Sequence, residues 1–372
     1  MYFVHPQIKF NWENLSGLLL SFFKEPEKEL KKIKSMFPQK ELVFCDMGRT
    51  AFRLIIEELN LQNSKMMVPA YLCDIFYPIF KRYNISPLFL DVEKESFQVS
   101  LKEIKNKINP EIKSILVCHT YGLPVDIKKI REITNNQALI IEDCAHSFGA
   151  KLENEYLGNF GDAAFFSLYK QFPIVRGGLA ILKKQKHLKR TGFDLRDFVS
   201  LLNNFSLFAF FFKKFGNEIA PKVQRKEKSE DLNRINNFSF NFFLLSQREF
   251  EKNLKNRIEL ALFFQEELRK LNFETQKAKG NIFCYLSALT PKNINRDEFL
   301  KKMRKNKVFA TRIWRQPIIL NPEVQKEYQI NPQSFPNALE VSQRIINFPL
   351  QNYYTKKEVE KITSIIKNNL IS

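Results

Sequence analysis

From residue 41 the chain alternates between two kinds of segment. Short β-rich apolar runs are each followed by a helical one: ELVFC then TAFRLIIEELN, MMVPA then a helical run from about Asp74, SPLFLDV then SLKEIKNKI, SILVCHT then DIKKIREITNN, then ALIIED. A strand that lies parallel to its neighbour needs a long crossover connection, and a helix supplies it. Units repeated at this spacing predict an α/β fold with a mainly parallel central sheet sandwiched by helices. Runs as apolar as SILVCHT and ALIIED suit strands buried on both faces. AAFFSL and GGLAIL follow as two further strand-like runs, joined by YKQFPIVR.

The rhythm breaks at residues 193–216, where FVSLLNNFSLFAFFFKKFG is aromatic and apolar. The charged stretch KVQRKEKSEDLN after it reads as an exposed linker. A long amphipathic helix is expected from about Phe243 to Leu271. Beyond it come a strand over IFCYLSAL, a helix over NRDEFLKKMRKNK, a strand over VFATRIW, and helices over ALEVSQRI and KKEVEKITSIIKN. The expected organisation is an N-terminal arm over 1–40, a large domain over 41–250 with an apolar insertion at about 193–235, and a smaller α+β domain over 251–372. A chain of 372 residues is long enough for both domains.

Charge narrows the partners. There are 59 Lys and Arg against 40 Asp and Glu, a net charge of +19. Such a surface attracts phosphates, nucleic acid or anionic lipid. No basic run is interleaved with aromatics, and no helix-turn-helix or RNP-like pattern occurs, so nucleic acid is not the expected partner. Phosphorylated small substrates suit the charge, and lysine-rich codon usage explains it equally well.

Cys45, Cys73, Cys118, Cys144 and Cys284 form no C-x-x-C pair, which points to a reducing compartment and no structural zinc or other metal. MYFVHPQIKFNWEN lacks the pattern of a signal peptide, and no run of 18 apolar residues exists; the expected location is cytoplasmic. Val199 to Phe212 spans only 14 residues and contains Asn203, Asn204 and Ser206, too short and polar to cross a bilayer. With Lys213 and Lys214 behind it, residues 198–215 either lie on an anionic membrane surface or pack against the body or a partner subunit; we favour packing.

Ligands of open parallel sheets sit outside the carboxyl ends of the strands, and four segments put polar residues there. Asp143 ends ALIIED and either meets a cation or caps a following helix. Lys170 follows AAFFSL among aromatics and a Gly-Gly turn. Desolvation there would lower its pKa and free the amine for Schiff-base chemistry, while a snorkelling surface lysine is the plainer reading. Ser167, three residues earlier, is placed to reach a phosphate or to face solvent. In Gly48-Arg49-Thr50-Ala51, a strand meets a helix N-terminus. That end is a ready phosphate site, with Thr50 as a candidate cap.

The order of these signals is phosphate turn, acid, S-x-x-K, then Gly-Gly, and it resembles that of the fold-type-I pyridoxal-phosphate (PLP) enzymes. In detail the chain resembles the DegT/DnrJ/StrS family of sugar aminotransferases. The resemblance is carried by VPAYLCDIF, SPLFLDVEKESFQVS, SILVCHTYGLPVDI, IIEDCAHSFGA, LGNFGDAAFFSLYK and PNALEVSQRIINFPLQNYYTKKEVEKI. It covers about residues 41–182 well and 300–368 moderately.

The resemblance implies a fold-type-I transferase with pyridoxal 5'-phosphate as a Schiff base on Lys170. It implies Asp143 at the pyridinium nitrogen, His146 near the ring hydroxyl, and Gly48, Arg49, Thr50 and Ser167 around the phosphate. The ring-stacking aromatic of the family falls at Cys73, so Tyr71 is the alternative. Asn237, in NNFSF, matches a residue that reaches the partner subunit's phosphate. Arg312 and Arg315 are candidates for a donor carboxylate or substrate phosphates, or are ordinary surface arginines. Also implied are a homodimer with the site at its interface, glutamate as donor and a keto sugar nucleotide as acceptor. The chain departs from the family in the short FSLYK spacing and in Val175-Arg176-Gly177-Gly178, which lacks an acid. Two rivals stay open: a sugar dehydratase, in which histidine replaces the lysine, and a non-catalytic sugar-nucleotide-binding member.

Overall fold

The alternating apolar runs become neighbours in one sheet of the computed structural model, which describes residues 2–7, 26–184, 186–190, 192 and 231–371. The strands are β1 (Glu41–Cys45), β2 (Lys65–Pro69), β3 (Ser86–Leu90), β4 (Ile112–Cys118), β5 (Leu139–Asp143), β6 (Ala163–Ser167) and β7 (Gly178–Leu182). The short β8 (Lys189–Arg190) and β9 (Asn233–Arg234) extend one edge. Across the sheet the order is β8-β9-β1-β7-β6-β5-β4-β2-β3. β6, β5, β4, β2 and β3 run parallel, and β7 is antiparallel to both its neighbours, β6 and β1. The carboxyl ends of β1, β2, β4, β5 and β6 therefore open on one side, and β7 begins there.

Helices cover both faces. They are α1 (Glu27–Met36), α2 (Gly48–Glu58), α3 (Tyr77–Arg82), α4 (Leu101–Lys107), α5 (Ile127–Thr134) and α6 (Asn237–Leu245). α2 buries Ala51, Phe52, Leu54, Ile55 and Ile56 in a cluster with Val43, Phe165 and Ala180 of the sheet. Ile104 of α4 with Ile127 and Ile130 of α5 close over Val117 and Ile140. Each such side chain contributes roughly 1.5–3 kcal/mol when fully buried.

The remaining chain comprises α7 (Phe250–Lys270), β10 (Glu274–Thr275), β11 (Leu286–Leu289), α8 (Arg296–Lys305), α9 (Pro322–Glu327), α10 (Pro336–Arg344), β12 (Ile345–Phe348) and α11 (Lys356–Ile371). β10, β11 and β12 form an antiparallel sheet, packed with Leu260, Phe264, Phe299, Met303 and Ile362. Cys284, Tyr285, Trp314 and Ile318 of this half join the main core instead, so the second half closes over the strand ends.

Several sequence expectations change. The long helix from Phe243 is two helices, because Ser246 Oγ and Gln247 Nε2 donate to the Phe242 and Phe243 carbonyls and terminate α6. Only Leu286–Leu289 of IFCYLSAL is strand; Phe283 has φ of 50°, which breaks extension. Within VFATRIW, Val308–Phe309 pairs with Tyr2–Phe3, and Thr311 makes only an isolated bridge to Asn347. In the N-terminal segment, α1 buries Ile33 and Met36 in a cluster with Phe37, Phe148 and Phe166. The apolar segment 198–215 and most of the charged linker lie outside the described residues. Among the described residues no helix is long and apolar enough to cross a membrane.

Candidate active site

A cavity of about 290 Å³ opens at the carboxyl ends of β1, β5 and β6, lined among others by Gly48, Arg49, Asp143, Ser167 and Lys170. At the strand ends beside it, two glycines set how closely the start of α2 can pack. A Cβ on Gly48 would lie 2.9 Å from Ser167 Cβ, and one on Gly178 would run into the Met47 carbonyl. Gly178 pairs with Cys45 on one side and Ser167 on the other. The absence of a side chain at both positions lets the start of α2 pack closely on the ends of β6 and β7, most strictly at Gly178. No side chain caps α2, and its N-cap is Met47 in extended conformation. Thr50 is thus not the expected cap. It lies inside the first turn and its hydroxyl donates to Asp46 at 2.6 Å. The uncapped N–H groups and the helix dipole leave this end suited to an anion.

Asp143 ends β5 with its side chain buried. One carboxylate oxygen accepts the Ala145 N–H at 2.9 Å and the other faces the Cys118 thiol at 3.3 Å. No helix starts here, so the helix-cap reading gives way to a local turn. Burial raises its pKa, while the Lys170 ammonium, the Ala145 N–H and the Cys118 thiol oppose that rise.

Lys170 lies in the single turn after β6. Its Nζ is 3.0 Å from His146 Nε2. Burial alone disfavours the ammonium, but Tyr169, Asp143, Cys73 and Cys284 outweigh it, and the pKa ends above the ordinary lysine value. The expected depression by desolvation is therefore corrected: acidic neighbours win. His146 is pushed well below its ordinary value by burial and then by the Lys170 charge, so its ring is neutral.

The remaining sequence candidates divide. Cys73 lines the cavity. Tyr71 is fully buried behind it, 4.8 Å from the Trp314 ring, with its hydroxyl 2.6 Å from that of Tyr121. Asn237 is exposed at the start of α6, next to the cap Asn236, and is not part of the cavity lining. Arg315 is exposed, and Arg312 lies 3.8 Å from Asp297. Neither lines the cavity, although Ile313 and Trp314 between them do.

Sequence reasoning missed His5, Tyr285 and Trp314 in the lining. They come from distant segments, and only Trp314 carried a local hint, from its flanking arginines. His119, Glu142 and Cys144 form a buried group with ligand-type atoms within 4.8 Å of one another. There Glu142 accepts the Gly158 and Gly161 N–H groups and faces His119, whose Nδ1 accepts from Val125, so these hydrogen bonds brace the turns around β5.

The residues fit pyridoxal phosphate. An uncapped helix start seated on glycine suits the phosphate, a buried carboxylate suits a protonated ring nitrogen, and a half-buried amine in the same cavity suits the aldehyde. On a parallel sheet with one reversed inner strand, this arrangement defines the fold-type-I class of PLP-dependent transaminases. A family profile agrees over residues 79–367. The chain belongs to the DegT/DnrJ/EryC1/StrS aminotransferase family.

Among its relatives, an uncharacterized protein of Methanocaldococcus jannaschii is 24% identical over 76% of this chain and 73% of that protein. A GDP-perosamine synthase of Escherichia coli O157:H7 is 33% identical, but over only 35% of this chain and 36% of that enzyme. A putative sugar aminotransferase from Streptococcus pneumoniae in its PLP form shares the fold, with a TM-score of 0.78 at 14% identity over 99% of this chain and 98% of that one.

Proposed function

We propose that the chain moves an amino group from glutamate to a keto sugar carried on a nucleotide, in the assembly of a bacterial surface polysaccharide or a secondary metabolite. The observation that carries this reading is the half-buried Lys170 amine, which lines the same cavity as Asp143. Pyridoxal phosphate, when bound, supplies an aldehyde that accepts the amino group and a ring that takes up the electron pair of the reacting carbon.

Lys170 Nζ would hold the cofactor through its aldehyde and would serve as the proton carrier at the reacting carbon. Asp143 would keep a proton on the ring nitrogen, and the Cys118 thiol and Ala145 N–H hold its carboxylate in place. Gly48, Arg49, Thr50 and Ser167 would hold the phosphate, and Cys73, in the cavity lining, would face the ring in the place of the family's aromatic. Arg312 is the candidate for the donor carboxylate, with Arg315 farther out. Perosamine synthase, named among the relatives, makes an amino sugar on a nucleotide, and the net charge of +19 suits such substrates.

The enzyme is further read as a cytoplasmic homodimer. In support, Asn237 is exposed away from its own cavity, and Ile75, on the cavity rim, is an exposed large apolar side chain. The dehydratase reading requires histidine in place of Lys170. Contact of residues 198–215 with membrane is the weaker of the two readings of that segment. Co-sedimentation with anionic vesicles, absent or unchanged on deletion of the segment, ends it.

The test is to load the purified protein with PLP, add glutamate, and follow the cofactor spectrum and the formation of 2-oxoglutarate. Keto sugar nucleotides are then screened by mass for amination. A protein that takes up no aldehyde, or holds it without reacting with any amino donor, is a binding member of the family and not a transaminase.

A further inference from the structure

Residues 2–7 are tied down beside the cavity by pairing, ring contacts and one buried amide. Tyr2–Phe3 pairs in parallel with Val308–Phe309, just before the cavity residues Ile313 and Trp314. The Tyr2 ring meets Tyr354 edge-on at 5.7 Å, Phe3 stacks on Phe309 at 4.9 Å, and Val4 is buried in the main core. Gln351, itself buried, spends its whole side-chain amide on this segment. Its Nε2 donates to the carbonyls of Phe3 at 2.6 Å and His5 at 2.9 Å, and its Oε1 accepts the Gln7 N–H at 3.0 Å. A buried amide satisfied wholly by one short segment holds that backbone to a single path. Phe3 and Val4 anchor it, and His5 is left exposed at the cavity, edge-on to Tyr285 at 6.4 Å.

The Tyr285 ring lies 5.2 Å from His146, the neighbour of the reacting amine, and 6.4 Å from His5. His5 therefore shares with Tyr285 the wall of the cavity that an acceptor substrate would enter. The wall there is Tyr285, Ile313 and Trp314. Aromatic and apolar surfaces pack on the C–H faces of a pyranose. A neutral imidazole offers one donor and one acceptor, and a sugar hydroxyl offers the same.

We propose that His5 is a specificity-determining residue that hydrogen-bonds a hydroxyl of the acceptor sugar, and that Gln351 is its positioning residue. This rests on the nucleotide-sugar reading above and names the part of the substrate that the N-terminal segment recognises.

The experiment is calorimetric binding to the holoenzyme in its aldehyde form, which has no amino group to give. The probes are GDP and GDP-4-keto-6-deoxymannose, titrated into wild type, His5→Ala, His5→Gln and Gln351→Leu. His5→Ala is expected to weaken the sugar nucleotide at least about tenfold and leave GDP unchanged, the size of one lost hydrogen bond in a closed site. His5→Gln, which keeps a donor and an acceptor, recovers part of the loss. Gln351→Leu weakens the same probe without touching it. Equal affinity of wild type and His5→Ala for the sugar nucleotide overturns the proposal. So does an equal loss for GDP, which would make the phosphates the partner, or a wild type that does not prefer the sugar nucleotide over GDP. The glutamate half-reaction, followed in the same preparations, reports on the transaminase reading separately: its absence sinks that reading, and a His5→Ala defect confined to the sugar leaves it intact.

Discussion

Nε2 of His146 stands 3.0 Å from Nζ of Lys170, and the same imidazole stacks on Tyr121 and Trp314. Its Nδ1 faces the Tyr121 N–H at 3.3 Å. A backbone N–H only donates, so a neutral ring held this way carries its proton on Nε2 and turns it toward the amine. The histidine therefore favours the uncharged amine, the form that attacks an aldehyde, whereas Asp143 favours the ammonium. Lys170 is held between two partners that prefer opposite protonation states.

That arrangement has a pH signature. Burial and the Lys170 charge depress the His146 pKa in the folded protein, while the unfolded chain has the ordinary value near 6.5. Below that value the unfolded state binds a proton that the folded state refuses, so stability is lost as pH falls through 6.5 toward the folded value. Melting of the cofactor-free protein is expected to fall between pH 7.5 and 5.5. In His146→Gln it is expected to fall less, because glutamine does not titrate. Parallel curves for the two proteins would mean that His146 ionises freely in the fold.

Lys170→Ala is expected to remove the visible absorbance that appears when PLP is added to the wild type, and with it all transamination. Borohydride trapping and peptide mapping check the attachment directly: the label belongs on Lys170 in the wild type and on no peptide of the variant. An unchanged spectrum would put the aldehyde on another lysine.

Asp143→Asn is expected to keep cofactor but to lose transamination by roughly 10²–10³-fold, the scale for removing one charge aimed at the transition state. Cys118→Ala removes only the thiol that faces the same carboxylate at 3.3 Å and should cost much less. Single-turnover spectra with glutamate measure both. Near-normal rates for Asp143→Asn would take the carboxylate out of this role.

The parallel sheet, Asp143, Lys170, Gly48 and Ser167 were legible because strand–helix alternation places polar residues at strand ends by a local rule. His5, Tyr285, Trp314 and Gln351 were not. Residues 3 and 351 meet through one glutamine, and no local pattern encodes a contact across that separation. The break after α6 was hidden for a different reason. Phe238, Phe240, Phe242 and Phe243 are all buried, so the segment carries no polar stripe, and its end is set by hydrogen bonds from Ser246 and Gln247. The pKa of Lys170 was misjudged in sign because burial was visible in the apolar flanks while the acidic groups around it come from four different segments.

The glycine pair is the most severe local requirement in the site. Gly178 begins β7 between Cys45 and Ser167, and a methyl group there would collide with the backbone carbonyl of Met47, which cannot rotate away without moving the start of α2. Gly178→Ala is expected to destabilise the protein by at least about 3 kcal/mol, the upper range for overpacking against rigid neighbours, and to give little soluble protein. Gly48 is less crowded, since its added Cβ would lie 2.9 Å from Ser167 Cβ, 3.0 Å from Ser167 Oγ and 3.2 Å from the Phe166 carbonyl oxygen, contacts that a shift of a few tenths of an ångström relieves. Gly48→Ala should therefore fold, with Ser167 displaced from the phosphate end. Its expected defect is weaker PLP binding, roughly tenfold or more for a lost hydrogen bond to a charged group, with Lys170 still able to take up the aldehyde at high cofactor concentration. Equilibrium titration of PLP by absorbance measures this. An affinity equal to wild type would show that the phosphate does not sit between Gly48 and Ser167.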